Sequence, residues 1–447
     1  MTRTPRIAIV GTGMAGLGAA HRLKETGLPA VLFDKNPYPG GHTASHASEG
    51  FVFDEGPHVS FTSDERFRAL LSQSVGGNYL QVDAQINNYW QGYWIRHPAI
   101  TNLHGLPSDL VVRILQDFIA SQNAPQPVIN NYLDWLVASY GRTFAETFPA
   151  RYTVKYHTTT AENLSTDWLG PRLYRASLEE VLRGAVAPGS PNIHYVQDYR
   201  YPAQGGFASY LELFRRQSDI RLSHEVVRID WRRRELSFAN GSVVEYDHLI
   251  SSVPLPDLIG MIPGTPPDVT AAAEQLACTT LVLVNLGVAR SDVSSHSWNY
   301  YYDEEFPFSR VSYPRVMSPN VVPEGMSSIQ AELYFSRKYR PLTGAPEAWI
   351  DPVIDGLRRS GVLRQDDRIT FRQALLVPYA NIIFDLDREA SLRTVHGYLD
   401  SIGVRYCGRY GDWGYLWTDE AFRSGENAAQ GIVDRLDTPT SLSTTAA

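Results

Sequence analysis

The sequence contains little cysteine, no long apolar run and no excess of positive charge. Only two cysteines, Cys278 and Cys407, occur among 447 residues. They lie far apart and in no metal-ligand spacing, so we expect two buried thiols rather than a disulfide or a metal site. No apolar run approaches the ~18 residues that a membrane-spanning helix needs. The 48 acidic and 40 basic residues give a net charge of −8, which argues against nucleic acid or an anionic membrane as a partner.

The residues that are present predict a folded protein with a large core. Hydrophobic residues make up 43% of the chain and charged residues 20%, a balance that excludes disorder as the main state. The chain opens with MTRTPRIAIVGTG, where an apolar strand follows the first residues without a signal-peptide pattern. We therefore expect a cytoplasmic, globular protein built from more than one domain.

The first motif that carries chemistry is a glycine-rich turn. Gly11, Gly13 and Gly16 form G-x-G-x-x-G between an apolar strand and a helical pattern. The first glycine permits the tight turn, the second lets the backbone approach a pyrophosphate, and the third allows close packing of helix and strand. The helix N-terminus offers free N–H groups to phosphates, and Asp34, at the end of the next strand, can accept from a ribose hydroxyl. Together these features predict a dinucleotide site, and the acid disfavours a 2′-phosphate.

Two further segments resemble flavoproteins with two dinucleotide-binding domains. The Pro39-Gly40-Gly41 loop follows the acid, and CGRYGDWGYLWTDEAFRSGENAAQGI begins at Cys407. The second segment resembles the closing FAD motif of the amine oxidase, protoporphyrinogen oxidase and UDP-galactopyranose mutase superfamily. The resemblance implies non-covalent FAD as the cofactor. The implied cofactor-binding residues are Gly11, Gly13, Gly16, Asp34, Gly40, Gly41, Val227, Gly408, Arg409 and Tyr415.

The hydrophobic pattern changes along the chain. Helical periodicity covers residues 106–148, and Ser177 with Glu180 predicts a capping box at the start of another helix. Beyond residue 279, TLVLVNLGVA, SSIQAELYFS and RITFRQALLV are typical of strands. We predict an α/β fold, in which a Rossmann-like FAD-binding domain carries a helical insertion and an antiparallel or mixed substrate sheet. The predicted segments are FAD-binding at 1–85, 195–255 and 396–436, mainly helical at 86–194, the substrate sheet at 256–395 and a flexible tail at 437–447.

The middle of the chain resembles the UDP-galactopyranose mutases more closely. TFPARYTVKYHTTTAENLSTDWLGPR ends in a tryptophan and an arginine as a mutase segment does, and residues 298–324 are similar to the eukaryotic-type enzymes. FDEGPHVSF matches the mutase loop whose histidine lies near the flavin. The resemblance implies arginines and tyrosines that hold the diphosphate of a nucleotide sugar. The implied catalytic residues are His58, Arg172, Arg310, Tyr379 and Tyr415.

The family activity implied by this resemblance is pyranose–furanose isomerisation of a nucleotide sugar. In the family, N5 of reduced FAD attacks the anomeric carbon and displaces the nucleotide diphosphate, which later returns. Guanidinium forks and phenol hydroxyls suit a diphosphate, and a chain of net negative charge needs local positive charge to bind one. The flavin must first be reduced, and we expect NADH or NADPH as the donor.

The chain also departs from the mutase pattern. It has Gly56-Pro57-His58 where the mutases have Gly-Gly-His, and Ala99 and Ile100 replace a Phe-Gln pair that meets the uridine. A different nucleotide remains open, and so does an FAD-dependent oxidoreductase of the amine oxidase, protoporphyrinogen oxidase or desaturase type, in which N5 accepts a hydride. His42 and His46 lie four residues apart in a loop without a third ligand, so we expect no metal there.

Overall fold

Two β-sheets organise the computed structural model, which describes residues 4–125, 127–170, 173–189 and 196–437. The strands are β1 (Ile7–Val10), β2 (Ala30–Phe33), β3 (Ser45–Ser48), β4 (Phe51–Asp54), β5 (Tyr79–Asp83), β6 (Ile86–Trp90), β7 (Tyr93–Arg96), β8 (Asp198–Pro202), β9 (Asp219–Arg221), β10 (Val226–Asp230), β11 (Glu235–Phe238), β12 (Val243–Glu245), β13 (His248–Ser251), β14 (Thr279–Val288), β15 (Trp298–Tyr301), β16 (Arg310–Ser312), β17 (Ser327–Ser336), β18 (Ile369–Val377) and β19 (Arg405–Tyr406).

The helices surround these sheets. They are α1 (Met14–Glu25), α2 (Glu65–Ser74), α3 (Ser108–Asn123), α4 (Tyr132–Tyr140), α5 (Arg142–Thr147), α6 (Pro149–His157), α7 (Leu178–Val186), α8 (Glu212–Gln217), α9 (Leu255–Gly260), α10 (Pro267–Gln275), α11 (Pro314–Met317), α12 (Ile350–Arg359), α13 (Arg388–Ser401), α14 (Gly408–Gly411) and α15 (Thr418–Asp437). Among the described residues, no helix combines the length and apolar character needed to cross a membrane.

The first sheet has five parallel strands in the order β19-β13-β1-β2-β9. These strands come from the start, the middle and the end of the chain, so the sheet is assembled from separated segments. Because β1 lies at its centre, the turn that follows β1 opens at the carboxyl edge of the sheet, where ligands bind in folds of this kind. The predicted α/β fold with an interrupted Rossmann-like unit is confirmed.

The second sheet has seven strands in the order β18-β14-β17-β16-β15-β6-β7. All neighbouring strands are antiparallel except β15 and β6, which run parallel. The three segments predicted as strands form β14, β17 and β18. Residues 86–96, which we assigned to the mainly helical segment, instead supply β6 and the edge strand β7 of this sheet.

The helical insertion contains α3 to α7 and has its own apolar core. The predicted capping box at the start of α7 is confirmed, because the Ser177 side chain accepts from the backbone of Glu180 and the Glu180 side chain accepts from the backbone of Ser177. Helix α6 lies against β17 and carries Tyr152 and Tyr156 toward the seven-stranded sheet. The insertion thereby contributes side chains to the space between the two sheets.

Glycines allow α1 to lie directly against β1 and α15. A Cβ on Gly16 would lie 2.0 Å from the carbonyl oxygen of Gly11. A Cβ on Gly425 in α15 would lie 1.8 Å from the carbonyl oxygen of Ala15. Both obstacles are backbone atoms, which cannot move aside as a flexible side chain can. The packing of the dinucleotide-binding unit therefore depends on these two glycines.

We expect Gly425→Ala to destabilise the protein because the added methyl group must push α15 away from α1. Overpacking of this kind costs about 1–3 kcal/mol. Gly397→Ala is the matched control, since Gly397 is exposed in α13 and a Cβ there meets nothing within 4 Å. The control variant should gain up to about 1 kcal/mol from helix propensity. Urea unfolding measures both values, and equal stability of the two variants would contradict the packing argument.

Candidate functional site

The turn after β1 leaves backbone groups exposed at the N-terminus of α1. Gly11 has a φ of 99°, a conformation that favours glycine. Gly13 is the N-cap of α1 and, having no side chain, cannot cap the first N–H groups of this helix. A Cβ on Gly13 would meet only the carbonyl oxygen of Gly40, at 3.9 Å. Free N–H groups beside open space fit the pyrophosphate of a dinucleotide.

The predicted glycine pair lies against this turn. Gly40 and Gly41 have φ values of 116° and 53°, and a Cβ on Gly41 would lie 3.3 Å from the Cα of Gly13. From the other side, a Cβ on Gly408 would lie 2.5 Å from the side chain of Ala15 in α1. The structure therefore brings together the glycines of all three segments that resemble FAD contacts.

Asp34 fixes the same turn. Its Oδ2 accepts from the backbone N–H of Thr12 at 2.8 Å and from the Thr12 hydroxyl at 2.5 Å, and its Oδ1 accepts from the N–H of Asn36 at 2.9 Å. Because a carboxylate oxygen accepts two hydrogen bonds, Oδ1 retains capacity for a ribose hydroxyl. The N–H of His224 donates to the carbonyl oxygen of Asp34 at 2.7 Å. This contact brings the segment of Val227, which is half exposed at an irregularity in β10, toward Asp34.

His58 is a half-buried, neutral imidazole. Its Nδ1–H donates to the carbonyl oxygen of Gly56 at 2.9 Å, so Nε2 carries the free lone pair. Burial lowers the pKa of His58 to about 4, and the positive charge of Arg409 acts in the same direction. His58 can therefore accept a proton or a hydrogen bond at neutral pH, but it carries no charge there.

Arg409 connects the closing motif to the loop after β18. Its guanidinium donates to the carbonyl oxygen of Leu416 at 2.6 and 3.1 Å. The Nη1 atom lies 3.4 Å from the carbonyl oxygen of Ala380 and 3.3 Å from Oδ1 of Asn381. The guanidinium carbon also lies 5.1 Å from the ring centre of Tyr415, within the range of a cation–π contact. Arg409 thus holds Tyr415 beside the cofactor segments.

The hydroxyl of Tyr379 is hydrogen-bonded to a carboxylate of α9. The hydroxyl donates to Oδ1 of Asp257 in α9 at 2.6 Å, and its ring packs with Tyr410 and Trp413. In this arrangement the hydroxyl is hydrogen-bonded to α9 rather than to Arg310. A role for Tyr379 at a substrate phosphate, which stays a prediction, requires this hydrogen bond to break.

Arg310 is half-buried and forms a bidentate ion pair with Glu332, whose side chain is fully buried. The two residues lie directly opposite each other in β16 and β17. The Arg310 Nε–H lies 3.0 Å from both carboxylate oxygens of Glu332, and Nη2 lies 2.8 Å from Oε1. Burial alone lowers the pKa of Arg310, but the charge of Glu332 outweighs it and holds this pKa well above the usual value. Within the described residues, Nη1 has no hydrogen-bond partner and stays available for a ligand.

Five tyrosines surround this ion pair, and we refer to them as the tyrosine cluster. The hydroxyls of Tyr156 and Tyr415 lie 2.9 Å apart, and the hydroxyl of Tyr334 donates to Oε2 of Glu332 at 2.5 Å. Burial raises the pKa of Tyr156 and Tyr334 well above the usual value for tyrosine, so these hydroxyls remain protonated donors. The cluster consists of Tyr152, Tyr156, Tyr300, Tyr334 and Tyr415.

The structure therefore brings together only some of the residues predicted to bind the substrate. Tyr415 belongs to the tyrosine cluster and Arg310 lies beside it, whereas Arg172 lies outside the described residues. Its neighbour in the motif, Trp168, has its ring centre 6.3 Å from that of Tyr415. Sequence reasoning missed Glu332 and Tyr334. Their signal was the alternation in SSIQAELYFS, which places a charged and an aromatic side chain on one face of a buried strand.

Comparison with protein families and solved structures gives one consistent fold. The family model described as flavin containing amine oxidoreductase matches residues 14–433. A crystal structure of reduced UDP-galactopyranose mutase has a TM-score of 0.90 and 25% identity, and the match covers 97% of each chain. A putative protoporphyrinogen oxidase from Exiguobacterium sp. 255-15 has a TM-score of 0.74 and 15% identity, over 97% of this chain and all of the other.

Curated relatives match only short segments. A 1-hydroxycarotenoid 3,4-desaturase from Flavobacterium sp. (strain P99-3) is 34% identical over 87 residues, which is 19% of this chain and 18% of the relative. A 4,4'-diapophytoene desaturase from Staphylococcus haemolyticus (strain JCSC1435) is 38% identical over 68 residues, which is 15% of this chain and 13% of the relative. In both cases the match spans less than a fifth of the relative's length.

We expect Arg310→Ala to destabilise the fold strongly because it leaves the charge of Glu332 buried without its partner. Breaking a buried pair in this way costs about 3–5 kcal/mol. Arg372→Ala is the matched control, since Arg372 in β18 forms an exposed pair with Asp351, and exposed pairs contribute at most about 1 kcal/mol. Urea unfolding gives both values. A loss below about 1 kcal/mol for Arg310→Ala would show that Glu332 is not held as an ion within the fold.

Proposed function

The chain belongs to the flavin containing amine oxidoreductase family, and on that premise we propose that it is an FAD-dependent enzyme that isomerises a nucleotide sugar between pyranose and furanose forms. The family implies FAD, and the open backbone at the N-terminus of α1 fits its pyrophosphate. One observation carries the finer proposal. Nη1 of Arg310, which has no hydrogen-bond partner among the described residues, lies beside the tyrosine cluster, and this cluster adjoins Arg409 through Tyr415.

Ten residues, among them the glycines of the three cofactor segments, are those that would hold FAD. When bound in its reduced form, FAD supplies a nucleophilic nitrogen for the anomeric carbon of the sugar. The residues that would hold it are Gly11, Gly13, Gly16, Asp34, Gly40, Gly41, Val227, Gly408, Arg409 and Tyr415.

The protein's own part in this reaction is to hold the leaving group. Arg310 and Glu332 together carry no net charge, so the diphosphate gains the fixed N–H donors of Nη1 rather than a large attractive field. The hydroxyls of Tyr156 and Tyr415, which lie 2.9 Å apart, add further hydrogen-bonding groups beside this pair. A diphosphate retained there returns to the anomeric carbon as an effectively intramolecular reactant. Arg172, if it reaches the same group, adds the positive charge that the described part of the site lacks.

His58 suits this proposal because it stays neutral. Because its pKa is about 4, the ring carries no charge at neutral pH. The Nδ1–H bond to Gly56 fixes the ring, so Nε2 presents a lone pair in a constant direction. In the proposed reaction, His58 accepts a hydrogen bond from the cofactor or the sugar without donating a proton.

A second candidate function is oxidation by hydride transfer to FAD. Two observations favour it. The two curated relatives named above are desaturases, and the structure buries Ala99 and Ile100 at 3% exposure in the core of the helical insertion. These two side chains therefore do not stack on a nucleotide base as the matching mutase residues do. In this alternative, the tyrosine cluster positions an apolar or amine substrate against the flavin.

Product analysis separates the two functions. We expect the purified protein, incubated without oxygen with a panel of nucleotide sugars, to form an isomer of unchanged mass only after dithionite has reduced its flavin. The oxidised protein is the control in the same panel. If no isomer forms, and a polyene, an amine or a porphyrinogen instead bleaches the oxidised flavin, then the mutase proposal is wrong and the oxidoreductase proposal replaces it. NADH and NADPH, tried in place of dithionite, test the predicted reductant.

A further inference from the structure

A second cluster of titratable side chains lies next to the cofactor segments, away from the tyrosine cluster. His42 and His46, which the sequence left without a third ligand, both contact Glu55. Nδ1 of His42 lies 3.0 Å from Oε2 of Glu55, and Nε2 of His46 lies 2.9 Å from Oε1. The hydroxyl of Tyr38 donates to the same Oε1 at 3.2 Å. We refer to Tyr38, His42, His46 and Glu55 as the Glu55 clasp.

The Glu55 clasp encloses the glycine pair of the cofactor loop. Tyr38 precedes Pro39, Gly40 and Gly41, and His42 follows them, so one carboxylate anchors the loop on both sides. The loop in turn contacts the dinucleotide turn, since the N–H of Gly40 donates to the carbonyl oxygen of Thr12 at 3.0 Å. Glu55 therefore constrains the Pro39–Gly41 loop, although Glu55 lies outside this loop.

The clasp reaches the other two cofactor segments as well. Glu55 is the residue before Gly56, whose carbonyl oxygen fixes the ring of His58. The ring of His42 lies edge-on to Tyr410, with ring centres 5.4 Å apart. The hydroxyl of Tyr410 donates to the carbonyl oxygens of the loop after β18, at 2.9 and 3.0 Å. One carboxylate thus ties together all three segments that resemble FAD contacts.

Glu55 is held as an anion in this position. Its side chain is only 11% exposed. Burial alone raises the pKa of Glu55, but hydrogen bonds from His42 and His46 outweigh it and lower this pKa to about 2. Neutral histidines can supply both bonds, because each needs only one ring N–H to donate. The clasp therefore stays closed throughout the neutral pH range.

A metal site does not explain this arrangement. Among the described residues, the group whose ligand atoms lie close enough for a shared ion is His21, Glu25 and Glu426, and there Arg66 bridges the two glutamates. In the clasp the carboxylate satisfies both imidazoles directly. Two roles of the Glu55 clasp remain, which are a contribution to the general stability of the fold and a specific effect on cofactor binding.

We propose that Glu55 is a positioning residue for the cofactor, which acts through His42 and His46 to hold the Pro39–Gly41 loop in the shape that receives FAD. The inference concerns cofactor binding alone and is independent of the substrate, so the mutase proposal can fail without affecting it. The proposal also predicts that removal of the negative charge of Glu55 changes the midpoint potential of the bound flavin.

FAD titration of the apoprotein tests this proposal directly. We expect Glu55→Ala to raise the Kd for FAD at least tenfold, measured by quenching of FAD fluorescence. Glu49→Gln is the matched control, because Glu49 is exposed in the same hairpin, and its Kd should stay within twofold of the wild-type value. In a His42→Ala/His46→Ala background, Glu55→Ala should change the Kd less than twofold, since the residues through which it acts are already gone.

Glu55→Gln keeps the volume of the side chain, so the same FAD titration is made with this variant if Glu55→Ala does not fold. For this variant we expect a weaker affinity for FAD and a more positive midpoint potential of the bound flavin, because a nearby negative charge is lost. A purely structural residue would lower Tm and leave the potential unchanged. An unaltered Kd and potential in Glu55→Gln, or an undiminished effect of Glu55→Ala in the double-histidine background, would overturn the proposal.

Discussion

Close contact between backbone segments around the N-terminus of α1 is the constraint on which the rest of the structure depends. The turn after β1, the glycine-pair loop and the start of α14 approach one another closely, since a Cβ would lie 3.3 Å from Gly13 if added at Gly41 and 2.5 Å from Ala15 if added at Gly408. This approach leaves the first N–H groups of α1 without a capping side chain at the N-cap, next to the central strand of a parallel sheet. A negatively charged, elongated ligand satisfies such groups better than water does, because the helix dipole and the free donors act together.

The second sheet supplies a different kind of chemistry to the same region. It is a broad, mainly antiparallel sheet, and its register places Arg310 opposite the fully buried side chain of Glu332. Such a pair contributes little net stability, but it fixes the direction of the guanidinium. In the tyrosine cluster, Tyr156 and Tyr334 then add hydroxyls that remain protonated. In the proposed function, the first sheet carries the turn that receives the cofactor, and the second sheet presents hydrogen-bond donors to the substrate.

Sequence reasoning recovered the elements whose determinants are local. The G-x-G-x-x-G turn, the capping box of α7 and the strands β14, β17 and β18 each depend on a short stretch of sequence, and the structure contains all of them. The contacts that define the site depend on pairing between distant segments instead. Arg310 meets Glu332 only through the register of β16 and β17, and Tyr379 meets Asp257 across 122 residues of chain. Likewise, β6 joins the second sheet through parallel pairing with β15, which no local pattern indicates.

The central claim is that the free edge of Arg310 and the adjacent tyrosine hydroxyls form a diphosphate site beside the flavin. A crystal structure of the FAD-loaded protein with a bound nucleoside diphosphate tests it most directly. The account predicts a phosphate oxygen within about 3 Å of Nη1 of Arg310, a normal distance for a charge-assisted hydrogen bond, and within reach of the Tyr156 or Tyr415 hydroxyl. A nucleotide bound elsewhere, with the tyrosine cluster closed over Arg310, would contradict it.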